Sequence, residues 1–488
     1  MQIFKTSSLS LMVALGLGQA SWWSSSAIRV NASPVSVSVQ SSRDDSLASV
    51  RRSDRESRGA DNKLARLSLE EHLRRANIYM SNRAFAEARE HWQAVVNGYP
   101  QEPRVAEALL GIGRSYFQSR YYAEAFNTFD RLVRAYGSTK EGREGLNFSA
   151  AALLRMGRAS DAAERYIEYI NRFPNGERID TAHLNVIDTF REAGRPQEAI
   201  DWITRTRQRF AGTVTETNAL FAQLRLHVAE SNWKQAVLAA DELSRRSFQK
   251  GVLTTPSEVG YLKAYSLERG GNRQDAIAAY LAIQDAPDSF YGWLATERLN
   301  SLAEGVSRNR IKERSERTAS YISEASGQYP APYRQAILRT ARSRKLDPRF
   351  ILAIIRQESV FRPLAKSPAG ARGLLQLTID AAEKYASSAG LSGLRESELY
   401  RPETSILLGG EYLAELGRTF PNMLEAVAAS YNGGEDNVGR WVKRAKHKDS
   451  GVFTAEIGFE ETKAYVQKVM TNYRAYRQLY TADLDRRQ

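Results

Sequence analysis

The sequence predicts an all-α protein, and two observations carry this prediction. An alanine recurs in the same local setting at a constant step of 37 residues, and a sixth copy follows after 40 residues. The six positions are Ala88, Ala125, Ala162, Ala199, Ala236 and Ala276. In the last third of the chain, isoleucines recur at three- and four-residue spacing after Asp347-Pro348, which is typical of an amphipathic helix.

Each repeat copy is interpreted as two amphipathic helices. A small alanine lets the second helix pack closely on the first, and an aromatic residue closes the copy. These aromatic residues are Tyr99, Tyr136, Phe173 and Phe210. One copy cannot bury its own apolar face, so the copies must stack into an array. The pattern resembles tetratricopeptide repeats, and we expect a TPR-like α-superhelical array over 63–300, a scaffold that offers a docking surface for a protein partner.

Composition excludes several classes of chemistry. The 488 residues contain no cysteine, so thiol nucleophiles, disulfides and zinc–thiolate sites are absent. The five histidines are scattered without metal-ligand spacing, and we expect neither a metal nor a cofactor. A net charge of +13 favours an anionic partner.

The N-terminal segment predicts export. Lys5 precedes an apolar run from Leu9 to Leu17, which is too short to span a bilayer and suits a signal peptide over 1–27. An extracytoplasmic, periplasmic location makes nucleic acid an unsuitable partner. No later segment is a continuous run of eighteen apolar residues, so an integral membrane protein is not expected.

Two segments are interpreted as connectors. Residues 28–62 are rich in Ser, Arg and Val and aperiodic, which predicts a disordered linker. Residues 301–332 are strongly basic and end in a Pro-rich break, which predicts a solvated basic connector to a final domain over 333–488.

We expect the catalytic residues to lie in that final domain. Asp347 and Pro348 start a helix as its cap and first residue. Its apolar face carries Glu358 near the C-terminal end, before Pro363. Burial and the helix dipole both penalise the ionised carboxyl and raise its pKa, as a general acid at neutral pH requires.

Two later segments add candidates for substrate binding. The segment 367–377 contains two glycines and a proline within an apolar stretch, and glycines permit close approach of a ligand to the backbone. Tyr431 and Asn432 stand directly before a Gly-Gly turn. An aromatic ring can pack on the C–H face of a sugar, and an amide can bind its acetamido or hydroxyl groups.

Together these segments resemble the soluble lytic transglycosylases of bacterial peptidoglycan. Glu358-Ser359 resembles the family's catalytic Glu-Ser motif, and 367–376 its Ser-Pro-x-Gly-Ala-x-Gly-Leu-Met-Gln stretch. Tyr431-Asn432 and the segment 461–466 resemble its Ala-Tyr-Asn and Glu-Thr-x-x-Tyr-Val motifs. The resemblance covers about 333–480 and implies an α-rich lysozyme-like domain. Some members also carry a long α-superhelical N-terminal domain.

The resemblance implies peptidoglycan glycan strands as the substrate and assigns the site residues. Glu358 is the general acid and base. The residues implied to bind or shape the site around the sugar are Ser359, Ser367, Gly373, Leu375, Gln376, Thr378, Tyr431, Asn432, Glu461 and Tyr465. The chain departs from the family pattern at Leu375, Thr378 and Ser405, and Thr378 is expected to put a hydroxyl on the cleft wall.

The mechanism expected from the resemblance needs a single carboxylate. No Asp or Glu lies between Glu358 and Asp380, whereas ordinary glycosidases use two carboxylates. The acetamido group of N-acetylmuramic acid can assist instead. Glu358 then protonates the glycosidic oxygen and afterwards takes the proton of the sugar's C6 hydroxyl, which closes a 1,6-anhydro ring without water.

Two alternatives stay open at this point. One is a hydrolysing muramidase of goose-lysozyme type, in which Asp380, Asp436 or Glu461 positions a water molecule. The other is a non-catalytic envelope scaffold, built on the helical array, that retains the final domain only to hold glycan.

Overall fold

The computed structural model describes residues 38–302 and 306–487, and within them the side chains of 46–302 and 308–487. The predicted signal peptide, 1–27, lies outside the described residues. Contacts divide the described chain into two compact units, 38–209 and 210–487. The division falls inside the array predicted from the sequence, so the last repeats belong to the same unit as the final domain.

The first unit consists of nine helices within the described residues. They are α1 Ser38–Ser57, α2 Leu69–Ser81, α3 Phe85–Gly98, α4 Val105–Gln118, α5 Tyr122–Tyr136, α6 Lys140–Arg155, α7 Ala159–Arg172, α8 Ile179–Glu192 and α9 Pro196–Arg209. From α2 to α9, consecutive helices pack against each other.

The second unit continues the helical pairs and then changes architecture. Its helices are α10 Val214–Ala229, α11 Trp233–Leu243, α12 Pro256–Arg269, α13 Arg273–Ala282, α14 Phe290–Leu302, α15 Val306–Glu324, α16 Arg334–Arg344, α17 Pro348–Ser359, α18 Ile379–Ala386, α19 Pro402–Thr419, α20 Leu424–Gly433, α21 Glu435–Ala445, α22 Ser450–Glu456 and α23 Glu460–Leu479. Two short 3₁₀ segments, Ser326–Gln328 and Glu396–Tyr400, lie between them. Among the described residues, β-structure is limited to isolated bridges, so the all-α prediction is confirmed.

The repeat alanines explain the spacing of the array. Each lies at the fourth position of the second helix of its pair, and all six are completely buried. At that position, where two helices are in close contact, a larger side chain would force them apart. The repeat prediction is therefore confirmed.

The range expected to be a disordered linker is partly helical, which corrects that expectation. Helix α1 occupies Ser38–Ser57, and Asp54 is only 4% exposed. Its carboxylate forms an ion pair with Arg75, and a hydrogen bond of 3.0 Å joins it to His91. The polar composition suggested a solvated chain, but these charges are paired with helices α2 and α3.

The predicted basic connector is helical, and one face of this helix is packed while most of its charged side chains stay exposed. Helix α15 buries Ile311 and Ile322, and Arg314 donates a hydrogen bond of 2.7 Å to Thr296. Its two buried isoleucines are eleven residues apart, which is three helical turns on one face. The excess of arginine and lysine concealed this apolar face.

Several buried polar contacts join the last repeats to the final domain inside the second unit. Arg225 pairs with Glu456 at 3.3 Å, and Lys463 on α23 pairs with Glu258 on α12 at 2.9 Å. Arg474 forms a two-pronged pair with Asp285. These ion pairs therefore hold the helices that carry the candidate site against the last repeats. Within the described part of the chain, none of the helices has the length and hydropathy of a membrane span.

Candidate active site

Helix α17 places Glu358 as the sequence predicted. The Asp347 carboxylate caps its first turn by accepting from the Arg349 N–H at 2.9 Å, and Pro348 is the first helical residue. Ile351, Ile354 and Ile355 are completely buried. The helix ends after Ser359 because Val360 and Phe361 adopt left-handed backbone angles, with φ of 49° and 57°. Glu358 therefore stands in the last turn, on the core side of the helix.

The surroundings of Glu358 suit a general acid. Its carboxyl is half-buried, and burial raises its pKa to about 7. The Tyr465 hydroxyl donates a hydrogen bond of 2.6 Å to Glu358 Oε1, which lowers the pKa and so opposes the effect of burial. Near neutral pH the carboxyl can therefore exist in both protonation states, as one group acting first as acid and then as base requires.

Helix α23 supplies Tyr465 and an adjacent polar contact. Tyr465 is buried, and burial together with the neighbouring Glu358 raises its pKa well above the usual range, so it remains a neutral hydrogen-bond donor. Thr462, one turn earlier, donates a hydrogen bond of 2.6 Å to Asn432 Oδ1. The amide of Asn432, itself half-buried, is thereby oriented by α23.

The structure corrects the expectation that the Tyr431 ring packs on a sugar. Tyr431 is 0% exposed, and its ring lies 5.1 Å from that of Tyr412 inside the domain. Its hydroxyl donates a hydrogen bond of 2.6 Å to the Leu375 carbonyl oxygen. Tyr431 therefore fixes the glycine-containing loop instead of offering a free aromatic face.

That loop, residues 365–378, is held by its own polar groups. The Gln376 side chain donates to the carbonyl oxygens of Ala365 and Gly373 at 3.1 and 2.9 Å. The Ser367 hydroxyl accepts from the Ala371 N–H at 3.1 Å. These bonds use the Gln376 amide nitrogen and the Ser367 hydroxyl oxygen, two groups that the resemblance assigned to sugar binding. The side chains of Leu375 and Gln376 are buried and support the loop, whereas Ser367 is half-buried. Ser359 is also buried, and its hydroxyl donates to the Ile355 carbonyl oxygen within α17 at 3.2 Å.

The remaining predicted residues lie nearer the surface. The Thr378 hydroxyl accepts from the Ala381 N–H at 3.3 Å and so caps α18. Glu461 is exposed and lies four residues before Tyr465, on the same face of α23. Asp380 and Asp436, the other carboxylates considered for holding a water molecule, are also exposed.

Two supporting residues were not predicted as part of the site. Ser405, buried on α19, accepts a hydrogen bond of 3.1 Å from the Leu375 N–H. Thr462 orients Asn432 as described above. Thr462 lies in a segment that carried the family resemblance and Ser405 is a departure from the family pattern, but neither residue type signals a role without its spatial partner.

Gly373 has a conformation that only glycine adopts easily. Its φ is +78°, and a Cβ would lie 2.0 Å from the Leu399 carbonyl oxygen. Gly373→Ala is expected to destabilise the protein by about 3 kcal/mol or more, because the left-handed backbone costs about 1–2 kcal/mol and the clash adds to it. Urea unfolding measures the effect.

The matched control is Gly390→Ala. Gly390 has a similar φ of +73°, and an added Cβ would meet nothing within 4 Å. Gly390→Ala should lower the free energy of unfolding only by the backbone penalty of about 1–2 kcal/mol. Equal losses in the two variants would contradict a tight contact at Gly373.

Among the described residues, no group of three or more acidic or histidine side chains has the arrangement of a metal site. The polar groups that the structure gathers at this site are Glu358, Tyr465 and their hydrogen-bonding neighbours.

Comparisons with known proteins define the class. Residues 335–453 match the family model of the transglycosylase SLT domain, and residues 73–138 and 150–212 match that of the tetratricopeptide repeat. The fold and these matches define a protein in which TPR-type repeats precede an SLT domain with a glutamate at its centre.

Relatives with a similar sequence include soluble lytic murein transglycosylases, which confirms the resemblance seen in the motifs. A putative member from Haemophilus influenzae is 43% identical over 122 residues, which is 25% of this chain and 21% of that protein. The Escherichia coli K12 protein is 31% identical over 157 residues, 32% of this chain and 24% of that protein. These matches thus span only about a quarter of the relatives' length.

A solved structure shows the same fold. Lytic transglycosylase Slt of Pseudomonas aeruginosa, solved as an inactive mutant, aligns over 85% of this chain and 81% of its own with a TM-score of 0.50 and 19% identity. The alignment extends beyond the SLT domain into the helical repeats, so the two-part architecture is shared.

Proposed function

We propose that this protein is a lytic transglycosylase that cleaves the β-1,4 bond between N-acetylmuramic acid and N-acetylglucosamine in peptidoglycan, leaving 1,6-anhydro ends. The observation that carries the proposal is Glu358, a half-buried carboxyl with a pKa of about 7 that receives a hydrogen bond from Tyr465. The names of the relatives and the matching domain support the choice of substrate.

In the first step, Glu358 transfers its proton to the glycosidic oxygen, and the bond between that oxygen and C1 of the muramic sugar breaks. The electron pair leaves with the N-acetylglucosamine hydroxyl, and the substrate's acetamido group stabilises the positive charge at C1. The Tyr465 hydroxyl stabilises the carboxylate that Glu358 has become.

In the second step, the Glu358 carboxylate takes the proton of the C6 hydroxyl while O6 bonds to C1. The ring closes, and Glu358 is protonated again for the next cycle. No water enters the product. We assign binding of the sugar's polar groups to the Asn432 amide, whose oxygen accepts from Thr462. The loop 365–378, which Tyr431 holds through the Leu375 carbonyl oxygen, is assigned to the cleft wall.

The test is the mass of the products released from purified peptidoglycan. Non-hydrolytic cleavage gives muropeptides lighter by one water than the hydrolytic products. Anhydro ends support the proposal. Reducing ends would instead identify a hydrolysing muramidase, and glycan binding without any product would identify a scaffold.

The setting of the activity is part of the same proposal. Peptidoglycan lies outside the cytoplasm, so the enzyme would act in the periplasm after export by the segment 1–27. The TPR-type repeats are the expected surface for a protein partner.

The variant Tyr465→Phe tests whether the hydrogen bond from Tyr465 lowers the pKa of Glu358. The Tyr465 hydrogen bond lowers the pKa of Glu358, so its removal should raise that pKa further. Because the first step needs the protonated acid, the decline of activity at high pH should move to higher pH, by about 1–2 units for the loss of one hydrogen bond to a charged group. A pH profile of muropeptide release measures the shift.

Tyr473→Phe is the matched control. It removes a tyrosine hydroxyl from the same helix, one that donates to Asp347 at 2.8 Å at the opposite end of α17. Its pH profile should be that of the unmodified protein. An alkaline limb that stays in place or moves to lower pH in Tyr465→Phe would contradict the assigned role of Tyr465.

A further inference from the structure

A cationic cavity of about 510 Å³ lies in the second unit, away from Glu358. Side chains of α14, α15, α17 and α23 line it together with Arg487. It lies at the far end of the helix pair that forms the active site. Arg349 is nine residues before Glu358 on α17, a distance of about 14 Å along a helix axis. The cavity is thus separate from the catalytic carboxyl.

Two of the four arginines in the lining are neutralised and held in place. Arg349 forms a two-pronged pair with Asp347, at 2.9 and 2.7 Å. Arg474 forms one with Asp285, at 2.6 and 2.9 Å. A guanidinium has five N–H donors and each pair uses two of them, so both groups keep donors available in a fixed orientation.

The other two arginines carry charge that no acid balances. The Arg477 guanidinium lies over the Tyr473 ring at 5.7 Å, and Arg487 Nε donates to the Tyr480 carbonyl oxygen at 3.2 Å. In the part of the chain that the structure describes, neither forms an ion pair. One carboxylate, Glu297, also lines the cavity, and it accepts a hydrogen bond from the Trp293 indole at 3.1 Å.

The neutral lining suits an organic ligand rather than a bare ion. Asn300 and Gln478 present amide groups, Ser315 a hydroxyl and Trp293 an indole. Amide side chains can both donate to and accept from peptide groups, and the cavity volume lies in the range of sites that hold small organic molecules. The two parallel N–H donors of an arginine guanidinium match the two oxygens of a carboxylate.

We propose that this cavity binds the carboxylate groups of the short peptides that branch from peptidoglycan. The identity of the ligand rests on the proposed function, whereas the anion site rests on the cavity itself. An extended tetrapeptide spans at most about 14 Å, no more than the length of helix between Arg349 and Glu358, so a peptide on the cleaved sugar would have to lie fully stretched along α17 to reach the cavity. We therefore assign the bound peptide to a neighbouring glycan strand, where it would anchor the enzyme to the polymer.

The experiment is calorimetric titration of the full chain with a synthetic tetrapeptide that carries two free carboxylates. The probe contains no glycan, so the result does not depend on cleavage. A fully amidated analogue and inorganic phosphate are titrated in parallel. The variant Arg477→Gln/Arg487→Gln removes the two unbalanced charges, and Arg486→Gln removes a neighbouring exposed charge that does not line the cavity.

The proposal is supported if the dicarboxylate peptide binds at least about tenfold more weakly to the double variant and equally well to Arg486→Gln. The amidated analogue should not bind. Equal weakening in Arg486→Gln would show a diffuse effect of charge and overturn it. Phosphate binding without peptide binding would assign the cavity to a different anion, and no binding of either would also overturn the proposal. Because the substituted side chains are exposed, thermal melting should show an unchanged fold.

Discussion

Glu358→Gln is expected to lower the rate of glycan cleavage by about 10³-fold or more, because one group supplies both the acid and the base and general acid–base catalysis is worth about 10²–10⁴-fold. Glutamine keeps the size of the side chain and can still accept from the Tyr465 hydroxyl, 2.6 Å from the native carboxyl. Release of muropeptides from purified peptidoglycan measures the loss. Activity that survives this substitution would refute the assignment of Glu358.

The same variant should be more stable than the native protein at alkaline pH. The pKa of Glu358 is about 7 in the folded protein, above the ordinary value of 4.5. The folded state therefore binds this proton more tightly, and its stability declines as pH rises from about 4.5 to about 7. Glutamine removes this cost, so the variant should gain about 1–3 kcal/mol at pH 8 and little at pH 4.

Urea unfolding at the two pH values checks this expectation and also serves as the folding control for the kinetic result. An inactive variant that is at least as stable as the native protein has lost chemistry and not structure. A variant that is destabilised at pH 8 would show that Glu358 is needed for packing.

Glu258→Gln is expected to destabilise the second unit by about 3–5 kcal/mol, because it leaves the buried Lys463 ammonium without its partner. Glu258 is completely buried and pairs with Lys463 at 2.9 Å, while Tyr291 and Thr254 donate hydrogen bonds to the same carboxylate. Urea unfolding measures the loss. Activity should fall too, since Lys463 lies on α23 between Thr462 and Tyr465.

Glu316→Gln is the matched control. It breaks the pair of Glu316 with Lys312, whose side chains are 64% and 74% exposed, and should cost less than about 0.5 kcal/mol. The double variant Glu258→Leu/Lys463→Met removes both buried charges and should be more stable than Glu258→Gln. If Glu258→Gln and Glu316→Gln cost the same, the buried pair does not brace α23 as described.

A consequence for domain organisation follows from this pair. The segment from α10 to α14 shares buried ion pairs with α22 and α23, such as those of Arg225 with Glu456 and of Arg474 with Asp285, which lies between α13 and α14. The part of the chain needed to hold Tyr465 against Glu358 is thus larger than the segment 335–453 that matches the SLT family. Tyr465 itself lies outside that segment.

The sequence by itself determined the features that depend on neighbours within a few turns. The 37-residue step of the alanines, the start of α17 at Asp347-Pro348 and the place of Glu358 on an apolar face are all short-range patterns, and all three agree with the structure. Sequence patterns did not reveal the helices in 28–62 and 301–332. The charges of α1 are paired in the structure and α15 has only a narrow apolar face, so both segments have the composition of a solvated chain.

Only the tertiary structure decided which groups meet across long separations. Tyr465 is 107 residues from Glu358 and yet donates to its carboxyl. Tyr431 is buried, because packing against Tyr412 and the Leu375 carbonyl enclosed a ring that the sequence suggested for sugar binding. The pKa of Glu358 depends on how much water these contacts exclude. Residue spacing along one helix sets which face a side chain occupies, but burial and hydrogen bonding depend on the helices that pack against that face.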